Sequence, residues 1–404
     1  MLEFLKMIRE EQIRILKGLI NYLDSKTNVD AGGIMKAPAD TYTSQERFDR
    51  EWESFFLNHP QIIGMSGDLP NNNSFLTTEE FGKPILATRN NKGEFKAYAN
   101  VCSHRGVIVE GEKRGEKSRF SCPFHGWTFS NEGSLVGYPK SDQFGEIDKD
   151  CYGLKELPTL EKYGFLWVHP SETGEINLND LLGAKLIKEF SSWNFSDLVL
   201  GNEENYVTEM NWKLAIDTFG ETYHFSVLHK DSLFQSFHGN CQMFDSFERN
   251  GRLILCKRDI DEMRKLPEAE WNICTGSLPV YYLFPNIIFM PTNEGAFLVK
   301  EYPLENSPHK SVSQISFYFY PHVLEYVENL KKSGMEGSPL EEQYGGFAEV
   351  IRDEDYVVAA SSHKGLASGS LDYLTYGKNE PALHHYHNTY REALGLQSLP
   401  LIEA

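Results

Sequence analysis

Over residues 1–24 apolar side chains recur every three to five positions. Leu5, Ile8, Ile13, Leu16, Leu19, Ile20 and Leu23 lay a stripe along one side of a helix whose other side is charged. Such a helix either docks on another subunit or packs on its own domain. Asp30-Ala-Gly-Gly33 breaks the pattern, and a second short helix is expected from Ser44, its N-cap, to Trp52. From about residue 60 short runs bounded by Gly, Pro and Asn take over. Pro84–Thr88, the turn Asn90–Gly93 and Phe95–Ala99 read as a hairpin; Trp127–Phe129 leads into a turn at Ser130–Gly133, and Tyr163–Val168 adds a strand. Beyond a turn-rich connection at Pro170–Gly174 the aromatic and β-branched runs lengthen. Gly251–Lys257, Val280–Leu283, Ile287–Met290, Ala296–Lys300 and Val312–Tyr320 predict one sizeable antiparallel sheet.

The chain has 404 residues, more than one compact core usually holds, so two domains are expected. With 39 basic against 58 acidic residues the formal charge is -19, which would repel a nucleic-acid backbone or an anionic membrane. No run approaches the roughly 20 apolar residues of a spanning helix, and the N-terminus lacks an apolar signal core. A cytoplasmic protein with neither nucleic acid nor membrane as partner is expected. No Gly-rich nucleotide loop is evident, so nicotinamide and flavin fall to another protein.

The chemistry is concentrated in Cys102-Ser-His104-Arg-Gly and Cys122-Pro-Phe-His125-Gly-Trp. Zinc accepts two Cys and two His, but zinc fingers usually separate the Cys pair from the His pair. Here each arm carries one of each. That distribution favours a Rieske [2Fe–2S] cluster, in which one iron keeps two thiolates and the other takes two imidazoles. Cys151, Cys241, Cys256 and Cys274 show no pairing rhythm and read as free thiols in small core positions.

A second constellation lies in Asn211-Trp-Lys-Leu-Ala-Ile-Asp217-Thr-Phe-Gly-Glu221-Thr-Tyr-His224-Phe-Ser-Val-Leu-His229. If the helix that opens there continues, Asp217, Glu221 and His224 share one face. His229 lies about 140° round an ideal helix from His224, so both reach one metal only if the helix ends or widens between them. Downstream, Asp353, Glu354 and Asp355 sit in a helical run that ends near Gly365, and periodicity does not choose among them. Two His with one carboxylate form the open-faced triad of non-haem iron oxygenases. Phe219, Tyr223, Phe225, Phe234, Phe237 and Phe244 could line a pocket or simply fill the core.

Together these motifs resemble the catalytic alpha subunit of Rieske non-haem iron oxygenases, the aromatic ring-hydroxylating family, from about residue 35 onward. The resemblance implies an α+β fold: an N-terminal helical segment (1–47) belonging to or docking on the catalytic domain, a small antiparallel β Rieske domain (48–170), and a larger helix-grip-like catalytic domain with an antiparallel sheet (171–404). It implies a [2Fe–2S] cluster on Cys102, His104, Cys122 and His125, and mononuclear Fe(II) on His224, His229 and Asp355. Further implications are O₂ and a small aromatic substrate, a separate reductase or ferredoxin as donor, and a homotrimer, with or without a small β subunit. In that trimer Glu221 would bridge the His224 side of one chain to His104 or His125 of the next. Three residues depart from the commoner pattern: Glu221 stands for Asp, Thr218 for Asn and His363 for Gln. Glu at the first position resembles quaternary-amine monooxygenases. A monooxygenase or demethylase acting on an alkylamine or quaternary ammonium compound is therefore the alternative, and a Rieske electron carrier without oxygenase activity is a further one.

Overall fold

The computed structural model describes residues 7–333 and 339–403. Its contacts divide the chain into two units. One runs from Trp52 to Asn177 and takes in Phe195–Val199; the other combines the segment up to Glu51, Leu178–Asn194 and everything from Leu200 onward. The smaller unit is therefore inserted in the larger.

In the inserted unit a five-stranded sheet orders Glu156–Leu157, Phe95–Ala99, Ile85–Arg89, Ser74–Thr78 and Arg114–Glu116. The expected hairpin is present, with Ile85 opposite Ala99 and Arg89 opposite Phe95. Its turn closes because the Asn90 side chain accepts from the amides of Lys92 and Glu94, while Gly93 takes a positive φ of 79° that a Cβ would strain. A three-stranded sheet of Arg119–Ser121, Thr128–Ser130 and Leu135–Gly137 carries the second Cys/His arm. Phe75, Phe120, Trp127 and Phe129 fill the core between these strands.

The enclosing unit is built on a seven-stranded antiparallel sheet. Its order is Val199–Thr208, Ser311–Phe319, Gly295–Pro303, Ile287–Pro291, Ser277–Leu283, Asn250–Lys257 and Phe237–Phe247. The five inner strands coincide with the aromatic and β-branched runs of the sequence. The two edge strands, Val199–Thr208 and Phe237–Phe247, are interrupted by Asn, Glu, Gln and Asp and give no such signal.

The N-terminal helix spans Arg9–Ser25 and buries Ile15, Leu16 and Leu19. It packs on its own unit: Arg14 pairs with Asp245 at 2.7 Å, and a Cβ on Gly276 would meet Leu16 at 2.8 Å. Leu5 of the expected stripe lies outside the described residues. The second helix covers Gln45–Glu51, and Ser44 caps it by accepting from the Arg47 amide at 3.2 Å. Cys241, Cys256 and Cys274 are buried as expected, but Cys151 is exposed because it sits in a surface turn, its thiol 3.4 Å from Asp148. Among the described residues no helix is long and apolar enough to cross a membrane.

Candidate metal centres

The two Cys/His arms of the inserted unit are built alike. Cys102 N–H donates to Val107 C=O at 2.8 Å and Gly106 N–H to Cys102 C=O at 2.9 Å; Cys122 N–H donates to Trp127 C=O at 2.7 Å and Gly126 N–H to Cys122 C=O at 3.0 Å. Each loop is closed by a glycine four residues after the cysteine, at φ 76° and 71° respectively. Both thiols are buried at 3% exposure, whereas His104 is half-buried and His125 exposed. The two imidazoles lie edge to face with centroids 4.7 Å apart, and His104 stacks on the Trp127 indole at 4.8 Å. Burial raises the Cys102 thiol above its ordinary range, and Cys122 beside it adds to the effect. Burial lowers His104, and so do His125 and Arg105 nearby. Two thiols turned inward and two imidazoles turned outward suit a cluster whose two irons take unlike ligands.

The second centre lies in the enclosing unit. The helix that opens at Trp212, capped by the Asn211 side chain, ends at Asp217, well before His224. The continuous stripe of Asp217, Glu221 and His224 therefore does not form. Gly220 turns the chain where a Cβ would meet Leu383 at 2.3 Å, and His224 follows on a short 3-10 turn, Tyr223–Ser226. Asp217 faces elsewhere, accepting from Tyr42 Oη at 2.5 Å and lying 2.9 Å from His387 Nε2. Helix widening does occur, though not between the histidines. Helix Pro339–Val350 passes through a π-helical turn, Ile351–Asp355, into helix Tyr356–Ala367.

That turn gives three neighbouring acids three environments. Asp353 is exposed and pairs with Arg352 at 2.6 Å. Glu354 reaches the far nitrogen of His229, Oε2 to Nδ1 at 2.8 Å, and accepts from Ser232 Oγ at 2.9 Å. Asp355, 6% exposed, points its Oδ1 at His229 Nε2 (3.2 Å) and His224 Nε2 (3.5 Å). The two Nε2 atoms are 3.1 Å apart, and all three groups offer a ligand atom within 4.8 Å of one another. Glu221 hydrogen-bonds His224 Nδ1 and caps the amides of Tyr223 and His224. Each imidazole thus has its back nitrogen held by a carboxylate while Nε2 faces the middle, the usual dress of a metal-ligating histidine.

Electrostatics point the same way. Burial works against protonating His224, yet Asp355 and Glu221 outweigh it and raise the imidazole to about 9; His229 is raised too, against burial, by Asp355 and Glu354. Asp355 is lowered despite burial because both imidazoles stabilise its anion. A middle that favours protons on both histidines favours positive charge, which a divalent cation also supplies.

A small apolar pocket of about 40 Å³ opens on this centre. Of the six aromatic candidates, Phe219, Phe225 and Phe237 line it, as do Thr218 and, from the sheet, Leu255, Val280 and Met290. Tyr223 is 65% exposed, Phe234 lines a separate cleft beside Cys241, and Phe244 packs against His385. The sheet residues were not singled out from the sequence; the signal was available in their strand alternation, which puts 253, 255 and 257 on one face. Glu354 was seen only as a rival ligand. His363 is buried and 2.9 Å from His309 Nδ1, in a pair of its own.

Residues 59–161 match the family model for the Rieske [2Fe-2S] domain, and residues 195–396 match that for the ring hydroxylating alpha subunit (catalytic domain). The alpha subunit of toluate 1,2-dioxygenase from Pseudomonas putida is 32% identical over 52% of this chain and 48% of its own length. The chain thus spans about half the length of that relative. The carnitine monooxygenase oxygenase subunit of Escherichia coli (strain K12) is 25% identical over 87% of this chain and 91% of its own. Among solved structures, the quaternary ammonium Rieske monooxygenase CntA with L-carnitine superposes with a TM-score of 0.74 at 20% identity, over 91% of this chain and 97% of that one. Naphthalene 1,2-dioxygenase from Rhodococcus sp. gives 0.69 at 18%, over 95% and 98%.

Proposed function

Because the chain belongs to the ring-hydroxylating alpha-subunit family and carries a Rieske [2Fe-2S] domain ahead of the catalytic one, we propose that it is the oxygenase component of a multicomponent system. In this reading it takes electrons from a separate reductase or ferredoxin and inserts oxygen from O₂ into a small organic substrate. The observation that carries the reading is the convergence of His224, His229 and Asp355 at the floor of an apolar pocket. A pure electron carrier would have no use for that set. His224, His229 and Asp355 would hold ferrous iron, which would supply O₂ activation, and a cluster on the Cys/His arms would supply electrons.

The chain's own residues prepare that chemistry. Glu221 and Glu354 fix the two imidazoles by their Nδ1 atoms, so that Nε2 of each is the free ligand. Phe219, Phe225, Phe237, Leu255 and Met290 keep water from the pocket and leave an organic molecule little to contact but apolar surface. Cys102, His104, Cys122 and His125 would hold the cluster, with the imidazoles on the outward side. The reading extends to a homotrimer, with or without a small β subunit, in which Glu221 links His224 to His104 or His125 of the next chain. With six cysteines all free, it extends to a cytoplasmic location. A monooxygenase acting on an alkylamine is the second reading, favoured by Glu221 and by the extent of the alignment to the carnitine monooxygenase subunit.

Metal analysis tests the proposal directly. The purified protein is expected to hold three irons per chain and, with a reductase, to take up oxygen when substrate is added. His224→Ala or Asp355→Ala is expected to lose one iron and all turnover with the cluster spectrum intact, whereas Asp353→Ala keeps both. Zinc in place of iron, or full activity in Asp355→Ala, would sink it.

A further inference from the structure

A larger chamber of about 480 Å³ adjoins the apolar pocket and shares Leu233, Phe237, Leu278 and Phe347 with it. The sheet runs from one to the other. Leu253 pairs with Val280 and Leu255 with Leu278, and side chains two apart on a strand share a face about 7 Å apart. Val280 and Met290 line the inner pocket alone, Leu278 lines both, and the next positions outward, Lys257 and Thr292, line the outer chamber alone. The face thus turns from wholly apolar to polar within one two-residue step, and Lys257 stands one step beyond Leu255.

Among the described residues Lys257 has no acidic partner; its Nζ donates to Cys274 C=O at 2.8 Å, which fixes its position. Arg258 beside it donates to Phe234 C=O at 3.2 Å and lies over the Phe234 ring, and no acid among the described residues pairs with it. Two acids line the same chamber: Asp259 at its exposed end, and Glu294, which accepts from Tyr344 Oη at 3.3 Å. Neither shares the face of Leu255 as Lys257 does.

We propose that the substrate is an organic anion: an apolar end lies in the inner pocket against the metal centre, and a carboxylate at its other end pairs with Lys257 in the outer chamber. The inference rests on the oxygenase reading above. Lys257 is then the residue that determines specificity. It neither binds the metal nor touches the bond that reacts.

The test is equilibrium dialysis of the cofactor-loaded protein against phenylacetate, 3-phenylpropanoate and 4-phenylbutanoate, each beside its neutral amide and its trimethylammonium counterpart. At least one carboxylate is expected to bind about tenfold tighter than its amide, as befits a charge-assisted hydrogen bond. Lys257→Met should erase that preference, and Lys257→Arg should restore it. Equal binding of acid and amide across the series, a preference that survives Lys257→Met, or tighter binding of the ammonium compounds would overturn the proposal. Iron content and oxygen uptake on the same preparation separate the two readings. Three irons and turnover without carboxylate preference would overturn the substrate class alone, whereas a missing third iron would overturn the oxygenase assignment.

Discussion

Asp353, Glu354 and Asp355 are adjacent in sequence and alike in chemistry, yet one is exposed and pairs with Arg352, one orients His229, and one completes the three-residue centre. Residue type told us that a carboxylate was available; only the π-helical turn decides which one faces inward. A buried acid one strand away shows the same dependence on surroundings. Glu301 is fully buried, accepts from Ser313 Oγ at 2.5 Å and Tyr356 Oη at 2.7 Å through one oxygen, and leaves the other without a partner. Burial lifts it from 4.5 to about 8, against the two hydrogen bonds. Between those values the folded protein keeps a proton that the unfolded chain gives up. Its contribution to stability is therefore complete below about 4.5 and falls by about 1.4 kcal/mol per pH unit until about 8. Glu301→Gln is expected to flatten this slope and to make the protein more stable than wild type at pH 8. Denaturant melts at pH 5, 6.5 and 8 measure it, and parallel slopes for the two proteins would contradict the assignment.

At the scale of elements, the arms Cys102–Gly106 and Cys122–Gly126 were legible because their turns are local: the cysteine, its bonded amides and the closing glycine lie within six residues. Their glycines differ in surroundings. A Cβ at Gly106 meets nothing within 4 Å, so Gly106→Ala costs only the backbone strain of a positive φ, about 1–2 kcal/mol. At Gly126 it would also press on Pro139 at 3.2 Å. Cluster absorbance in the presence of a chelator is expected to decay faster in Gly106→Ala than in wild type, and faster again in Gly126→Ala. Equal decay in all three would mean that the turns do not hold the ligands. Less local elements were less legible. The helix after Asn211 stops at Asp217, and Gly220 beyond it packs against Leu383, a residue far along the chain. The edge strands carry polar residues on their open sides and so lack the pattern that revealed the five between them.

For the whole molecule, the proposed trimer sets an expected sedimentation mass of three 46.2 kDa chains. Glu221 already bonds His224 within one chain; a second bond to a neighbour would use the acid as a link. Glu221→Gln keeps the size and removes the charge. It should therefore retain trimeric mass, iron and cluster, while the reduced cluster reoxidises much more slowly when substrate and O₂ are added. Wild-type reoxidation in that variant, or a fully active monomer, would leave Glu221 as a positioning group for His224 alone.

The insertion of one unit within the other also orders events during synthesis. Tyr42, Asp217, Tyr376 and His387 meet in one buried hydrogen-bonded knot, drawn from the beginning, middle and end of the chain. Strand Ile34–Pro38 likewise waits for Tyr373–Tyr376 and Leu401–Ile402 to flank it. A ribosome delivers the inserted unit whole while these partners are still untranslated. That unit can fold, and its ligand loops can close, well before the pocket of the enclosing unit exists.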